Sequence, residues 1–141
     1  MSPKLFNQKA IVVGAGAMGC GIAQVLVQAG WEVRLYDTQD EALENGLARV
    51  RSMWKNLVEK GKISDAEQTE YNQRLNPAYV LREAADVSLA IEAIYENLDA
   101  KRSVFTTLDD VVREDCILAT NTSSLSVSSI AAGVKRAERV I

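Results

Sequence analysis

The 141-residue chain has no histidine, two cysteines, two prolines, and only 6% aromatic residues. Without histidine, and with Cys20 and Cys116 as the only thiols, an ordinary zinc shell cannot be assembled, so no metal is expected. Two distant cysteines in apolar surroundings read as buried free thiols of a reducing compartment, not as a disulfide framework. The scarcity of proline and the absence of low-complexity stretches or internal repeats leave no visible linker. No apolar run approaches the length of a membrane span, and Met1 to Ala10 lacks the apolar centre of a signal peptide. Sixteen Lys and Arg stand against nineteen Asp and Glu, for a net charge of -3 with the two signs interspersed. That balance argues against nucleic acid or an anionic membrane as partner. A cytoplasmic protein is expected, with residues 1–141 forming one domain around a single core.

Against these absences stands a regular alternation. Ala10 to Val13 is a short β-branched apolar run ending at Gly14, which suits a buried parallel strand. Gly19 to Ala29 reads as a helix, with Ile22, Leu26 and Ala29 on one face and Gly30 just past its end. Glu32 to Tyr36 is a second strand ending at Asp37, which completes a βαβ unit. Thr38 and Glu41 have capping-box spacing before a long helix carrying Leu43, Leu47, Val50, Trp54, Leu57 and Val58. Gly61 closes it, and Ser64 with Glu67 opens another helix at once. A helical hairpin is therefore expected where a simple crossover has one helix. Strand signals return at Val87 to Ile91 and Cys116 to Ala119, separated by a helix patterned on Leu98, Val104, Phe105, Leu108 and Val112. Ser128 to Ala132 reads as a short helix, and Val140–Ile141 as the start of a last strand. The expected fold is α/β: a Rossmann-type, doubly wound, mostly parallel sheet with the hairpin inserted after strand two.

The strongest chemical signal is Gly14-Ala15-Gly16-Ala17-Met18-Gly19. G-x-G-x-x-G alone is weak, but here it follows a strand and opens a helix. Gly14 allows the tight turn, Gly16 lets backbone approach a diphosphate, and Gly19 lets the helix pack on the strand. The helix end offers unpaired N–H groups and positive dipole to that diphosphate. Gly21 costs helix propensity, which suggests tight packing there. Asp37 lies about twenty residues beyond the turn, where a carboxylate accepts from an adenosine ribose diol and repels a 2′-phosphate. NAD is therefore favoured over NADP, although a phosphate contact from Arg34 stays open. Two further loops, Ile91 to Asn97 and Thr120 to Leu125, follow strands at the edge where open α/β sheets bind ligands. Ordinary helix capping accounts for any one hydroxyl of the second loop as readily as function does.

These residues resemble one family, the NAD-binding domain of L-3-hydroxyacyl-CoA dehydrogenases, along the whole chain. The resemblance rests on Gly14-x-Gly16-x-Met18-Gly19-x-Gly21-Ile22-Ala23, Tyr36-Asp37, Glu92-Ala93-Ile94-x-Glu96-Asn97-x-x-x-Lys101 and Thr120-Asn121-Thr122-Ser123-Ser124-Leu125. It implies NAD as cofactor, held at Gly14, Gly16, Ala17, Met18, Gly19 and Asp37. Backbone at Ala93 and Ile94 would line the adenosine side, and Glu96, Lys101 and Asn121 would lie near the nicotinamide ribose. Ser123 resembles the serine that bonds the substrate's 3-oxygen, and Lys60 (or equally Lys62) falls where the family places a lysine near the CoA phosphates. An acyl-CoA substrate and a homodimer built by a further helical domain are likewise implied.

One departure limits that implication. The family's general base is a histidine in a Gly-x-His-Phe-x-Asn-Pro stretch beyond the strand at Val140–Ile141, and this sequence has no histidine. Nor do Tyr36, Tyr71, Tyr79 or Tyr95 have a lysine four residues on, as a Tyr-x-x-x-Lys site requires. This chain alone is expected to bind NAD without appreciable turnover. Because it stops within the strand–helix alternation, it reads as the cofactor half of a longer enzyme, with an apolar surface where missing helices would pack. Two alternatives are a dehydrogenase of a non-CoA hydroxy acid and an NAD-binding module without chemistry.

Overall fold

A computed structural model describes residues 8–141. Most of the N-terminal segment read above as lacking a signal peptide lies outside these residues. Strand β1 (Lys9–Val13) forms from a run whose Ala10, Ile11 and Val12 are wholly buried. Helix α1 (Ala17–Gln28) and strand β2 (Glu32–Tyr36) follow, separated by Gly30 at φ 106°. Helices α2 (Asp40–Glu59) and α3 (Asp65–Arg74) make the expected hairpin, turning at Gly61 with φ 69°. Strand β3 (Leu75–Ala78), a 3-10 turn at Leu81–Ala84 and strand β4 (Leu89–Glu92) come next. Helix α4 (Leu98–Val111), strand β5 (Ile117–Thr120), the short α5 (Val127–Ile130) and 3-10 turns at Ala131–Gly133 and Ala137–Arg139 complete the order.

The five strands form one wholly parallel sheet in the order β3-β2-β1-β4-β5, the Rossmann-type arrangement expected. The winding reverses beside β1, which leaves a crevice at the C-terminal ends of β1 and β4. Helices α1 and α2 cover one face through residues such as Cys20, Ala23, Val27, Leu47 and Trp54. Helix α4 covers the other, setting Phe105 and Leu108 against Ile11 and Leu118. Tyr71 of α3 rests on the Trp54 ring, centroids 5.4 Å apart, and ties the hairpin together. Among the described residues no helix is long and apolar enough to cross a membrane.

Several local expectations are corrected. The most deeply buried residues of α1 are Cys20, Ala23 and Val27; Ile22 and Leu26 pack partly buried against the same core, whereas Ala29 is exposed, and on the outer side Met18 and Val25 are 59% and 66% exposed. Gly21 shares that side, and a Cβ there would meet nothing within 4 Å, so tight packing is not its reason. The Thr38–Glu41 capping box does not form. Helix α2 starts later, with Gln39 as N-cap, because Asp37 Oδ1 accepts from the Gln39 N–H at 2.9 Å and holds the entry extended. The Ser64–Glu67 box does form, with bonds of 2.9 and 3.1 Å. β4 and β5 each begin later than expected and end one residue later, at Glu92 and Thr120. The last strand is only a start: Val140 bridges Leu118, and Ile141 N–H donates to its carbonyl at 2.8 Å. Both thiols are buried and free, and burial pushes Cys116 up to about 11.

Candidate functional site

The glycine turn is shaped by close approaches on one side and open space on the other. Gly14 has φ 117°, donates its N–H to Tyr36 O at 2.8 Å, and has room for no Cβ: one would lie 2.5 Å from Ala93 O. A Cβ on Gly19 would come within 1.7 Å of Gly14 O, so α1 is seated directly on the turn. At Gly16, by contrast, a Cβ would meet nothing within 4 Å. Gly16 is the N-cap of α1, with no side-chain cap and no acid in the first turn. The first bond of the helix runs from Cys20 N–H to Gly16 O, which leaves the N–H groups of Ala17, Met18 and Gly19 without intrahelical partners. An uncapped, positively polarised helix end beside open space suits the oxygens of a diphosphate.

Beside the turn is a cavity of about 530 Å³, bordered by Gly14, Gly16, Asp37, Leu81, Ile94 and Val104 among others. Asp37 Oδ2 accepts from Ala15 N–H at 3.0 Å and Oδ1 from Gln39 N–H at 2.9 Å. A carboxylate accepts about four hydrogen bonds, so capacity for a diol remains. The cavity's apolar wall from the 3-10 turn and α4, with Asp37 at its rim, fits an adenosine. Arg34 is committed elsewhere: it pairs with Asp86 and donates to Glu83 O at 2.8 Å. The phosphate contact left open for it from the sequence is not made available by this geometry.

At the other end of the crevice a polar cluster joins the loops after β4 and β5. Lys101, in the first turn of α4, is wholly buried, as is Glu92 at the end of β4. Lys101 Nζ lies 2.5 Å from Glu92 Oε2, 3.1 Å from Glu96 Oε1 and 3.2 Å from Ile94 O. Glu92 also accepts from Thr120 Oγ1 at 2.5 Å and from Ile94 N–H at 2.7 Å. Glu96 Oε2 accepts from Ser124 Oγ at 2.6 Å and Thr122 Oγ1 at 2.8 Å. Those two hydroxyls first, then desolvation in the opposite sense and the Lys101 ammonium, leave the Glu96 carboxyl at about 2. Ser123, between the two anchored residues, is exposed, as is Asn121, whose N–H donates to Glu92 O at 2.9 Å.

Ala93, Ile94, Glu96, Lys101, Asn121 and Ser123 thus gather at the C-terminal edge with Gly14, Gly16, Ala17, Met18, Gly19 and Asp37. Lys60 does not border the cavity: it is the exposed C-cap of α2, with Lys62 exposed two residues on. Sequence reasoning gave no role to Glu92, Thr122 or Ser124. The available signal was a glutamate closing an otherwise apolar strand, with a lysine in the first turn of the following helix.

Residues 9–141 match the family model described as 3-hydroxyacyl-CoA dehydrogenase, NAD binding domain. A probable 3-hydroxybutyryl-CoA dehydrogenase of Bacillus subtilis is 44% identical over 93% of this chain and 46% of its own length. The (S)-3-hydroxybutyryl-CoA dehydrogenase of Ralstonia eutropha superposes with a TM-score of 0.90 at 35% identity, covering 96% of this chain and 48% of that one. The 3-hydroxybutyryl-CoA dehydrogenase of Escherichia coli gives 0.91 at 36% identity, covering 95% and 28%. The chain spans less than half the length of these relatives. It belongs to the family of NAD-binding domains of 3-hydroxyacyl-CoA dehydrogenases.

Proposed function

We propose that this domain is the cofactor half of an enzyme that interconverts an L-3-hydroxyacyl-CoA and the corresponding 3-ketoacyl-CoA. The carrying observation is the pairing of two ends of one crevice: an uncapped helix terminus with Asp37, and a hydroxyl-rich loop presenting Ser123. Bound NAD supplies the hydride acceptor. The N–H groups of Ala17, Met18 and Gly19 hold its diphosphate, and Asp37 its adenosine ribose. Backbone at Ala93 and Ile94 lines the adenosine side, while Glu96, Lys101 and Asn121 frame the nicotinamide ribose. Ser123 donates to the substrate's 3-oxygen, and this fixed orientation is the domain's entropic contribution.

These residues do not provide a proton acceptor. Glu96, held at about 2, is far too weak a base near neutrality, and the Lys101 ammonium is caged by carboxylates. The base is proposed to lie in a second portion of the enzyme, together with the acyl pocket and a homodimer contact. Lys60 is exposed and available to CoA phosphates. Two buried free thiols suit the cytoplasm.

The test is NADH oxidation with acetoacetyl-CoA, followed at 340 nm for the full-length protein and for this chain. Full-length turnover on the order of 10 per second is expected. The chain alone is expected to bind NADH and to be slower by about a hundredfold or more, the usual worth of a general base. Full-length protein inactive on acetoacetyl-CoA, or a chain as fast as the full-length enzyme, would overturn the proposal.

A further inference from the structure

We infer that Glu96 is a positioning residue, fixed by the buried Lys101–Glu92 pair, that clamps the Ser123 loop to the nicotinamide end of the crevice. The inference rests on the function proposed above, and goes beyond it by giving Lys101, Glu92, Thr122 and Ser124 a shared task. Glu92 and Lys101 are the two charged residues of the described chain with no exposed surface, and they are each other's closest charged partner at 2.5 Å. A buried pair of this kind is costly to desolvate, so its retention calls for a geometric reason. Here the geometry is legible. Lys101 also reaches Glu96 Oε1 at 3.1 Å, which fixes one side of that carboxylate from beneath. Its other oxygen takes the hydroxyls of Thr122 and Ser124, one residue on either side of Ser123. Thr122 Oγ1 in turn accepts from Leu125 N–H at 3.0 Å, so the loop is closed on itself as well as on Glu96.

The loop is bolted at two points with Ser123 left between them. Glu92 joins the same frame from the strand side, taking Thr120 Oγ1 at the end of β5 while its carbonyl takes Asn121 N–H. Three of the roughly four acceptor positions of Glu96 are filled by Lys101, Ser124 and Thr122. The fourth is free for a ribose hydroxyl. One carboxylate would then touch the cofactor and hold the loop that faces the substrate, and ordering one end would spare the cost of ordering the other. The adenosine cavity beside Asp37 is bordered by none of Glu92, Glu96, Lys101, Thr122 or Ser124, so it should be indifferent to the clamp.

The test is the double variant Thr122→Val with Ser124→Ala, which removes both anchors and leaves the buried pair intact. Binding of NADH and of ADP is measured by calorimetry, ADP reporting the adenosine and diphosphate contacts alone. The expected result is NADH binding weakened about tenfold with ADP binding within twofold of the parent. Carbon-13 NMR of the Glu96 carboxyl adds a second reading: its titration midpoint should rise from about 2 toward the ordinary 4.5. Equal weakening of NADH and ADP would reduce the anchors to general fold support and overturn the inference, as would unchanged NADH binding. A parent chain that binds neither ligand would instead overturn the proposed function, and the clamp with it.

Discussion

Alanine placed at Gly14 and at Gly16, two residues apart in one turn, should have opposite consequences. At Gly14 the added methyl meets Ala93 O at 2.5 Å and Ala93 C at 2.8 Å, both backbone atoms of the neighbouring strand end. The residue is also at φ 117°, where an L side chain is strained. The conformational cost is about 1–2 kcal/mol and the overpacking about 1–3 kcal/mol, so Gly14→Ala should lose on the order of 2–5 kcal/mol. In a domain of this size that lowers the melting temperature by about 6–20 °C. At Gly16 the methyl meets nothing within 4 Å, and φ -77° with ψ -169° is open to alanine. The small gain from a less flexible unfolded chain opposes the poorer N-cap, and stability should stay within about 1 kcal/mol of the parent. That same methyl occupies the space through which a diphosphate reaches the α1 N–H groups, so NADH affinity should fall about tenfold or more. Thermal unfolding by circular dichroism and NADH fluorescence titration separate the two effects. A Gly14→Ala protein as stable as the parent, or a Gly16→Ala protein that binds NADH undiminished, would refute the reasoning.

Other expectations follow from the buried groups. Lys101→Met leaves Glu92 buried without its cation and should cost about 3–5 kcal/mol in urea unfolding; a loss under about 1 kcal/mol would show that Glu92 does not depend on it. Glu96 is depressed from 4.5 to about 2, so its contribution is fully present above pH 4.5 and is lost as pH falls through 2. Unfolding followed across that window should show declining stability, with a shallower decline in Glu96→Gln; identical slopes would contradict the assignment. Cys116, with its thiol pushed up to about 11, should react with an aromatic disulfide reagent only on unfolding, and rapid native labelling would contradict its burial.

The fold was legible where local chemistry and periodicity agree. The buried run before Gly14, the glycine turn, the capping box at Ser64 and the apolar stripe from Leu43 to Trp54 each carry their own structural instruction. Strand β3 was not legible, because Leu75-Asn76-Pro77-Ala78 has no alternation and holds a proline, tolerated because the strand lies at the sheet edge. The buried face of α1 was legible only in part, for a related reason. Apolar residues lie all around that helix, and periodicity cannot say whether Ile22 or Ala23 is the more deeply buried. In the site, Gly14 and Asp37 declare themselves by spacing. The clamp does not: Glu92 at the end of β4, Lys101 in α4, and Thr122 with Ser124 in the loop after β5 are three separate stretches of backbone that only the parallel pairing of β4 with β5 brings together.

The central claim is that the turn at Gly14 and the carboxylate of Asp37 make this chain a binder of NAD. Its most direct test is a fluorescence titration of the unmodified chain with NADH and with NADPH, repeated on Asp37→Ala. NADH should bind at least about tenfold tighter than NADPH, and the substitution should narrow that gap. Equal affinities in the unmodified chain, or no binding of either, would contradict the account.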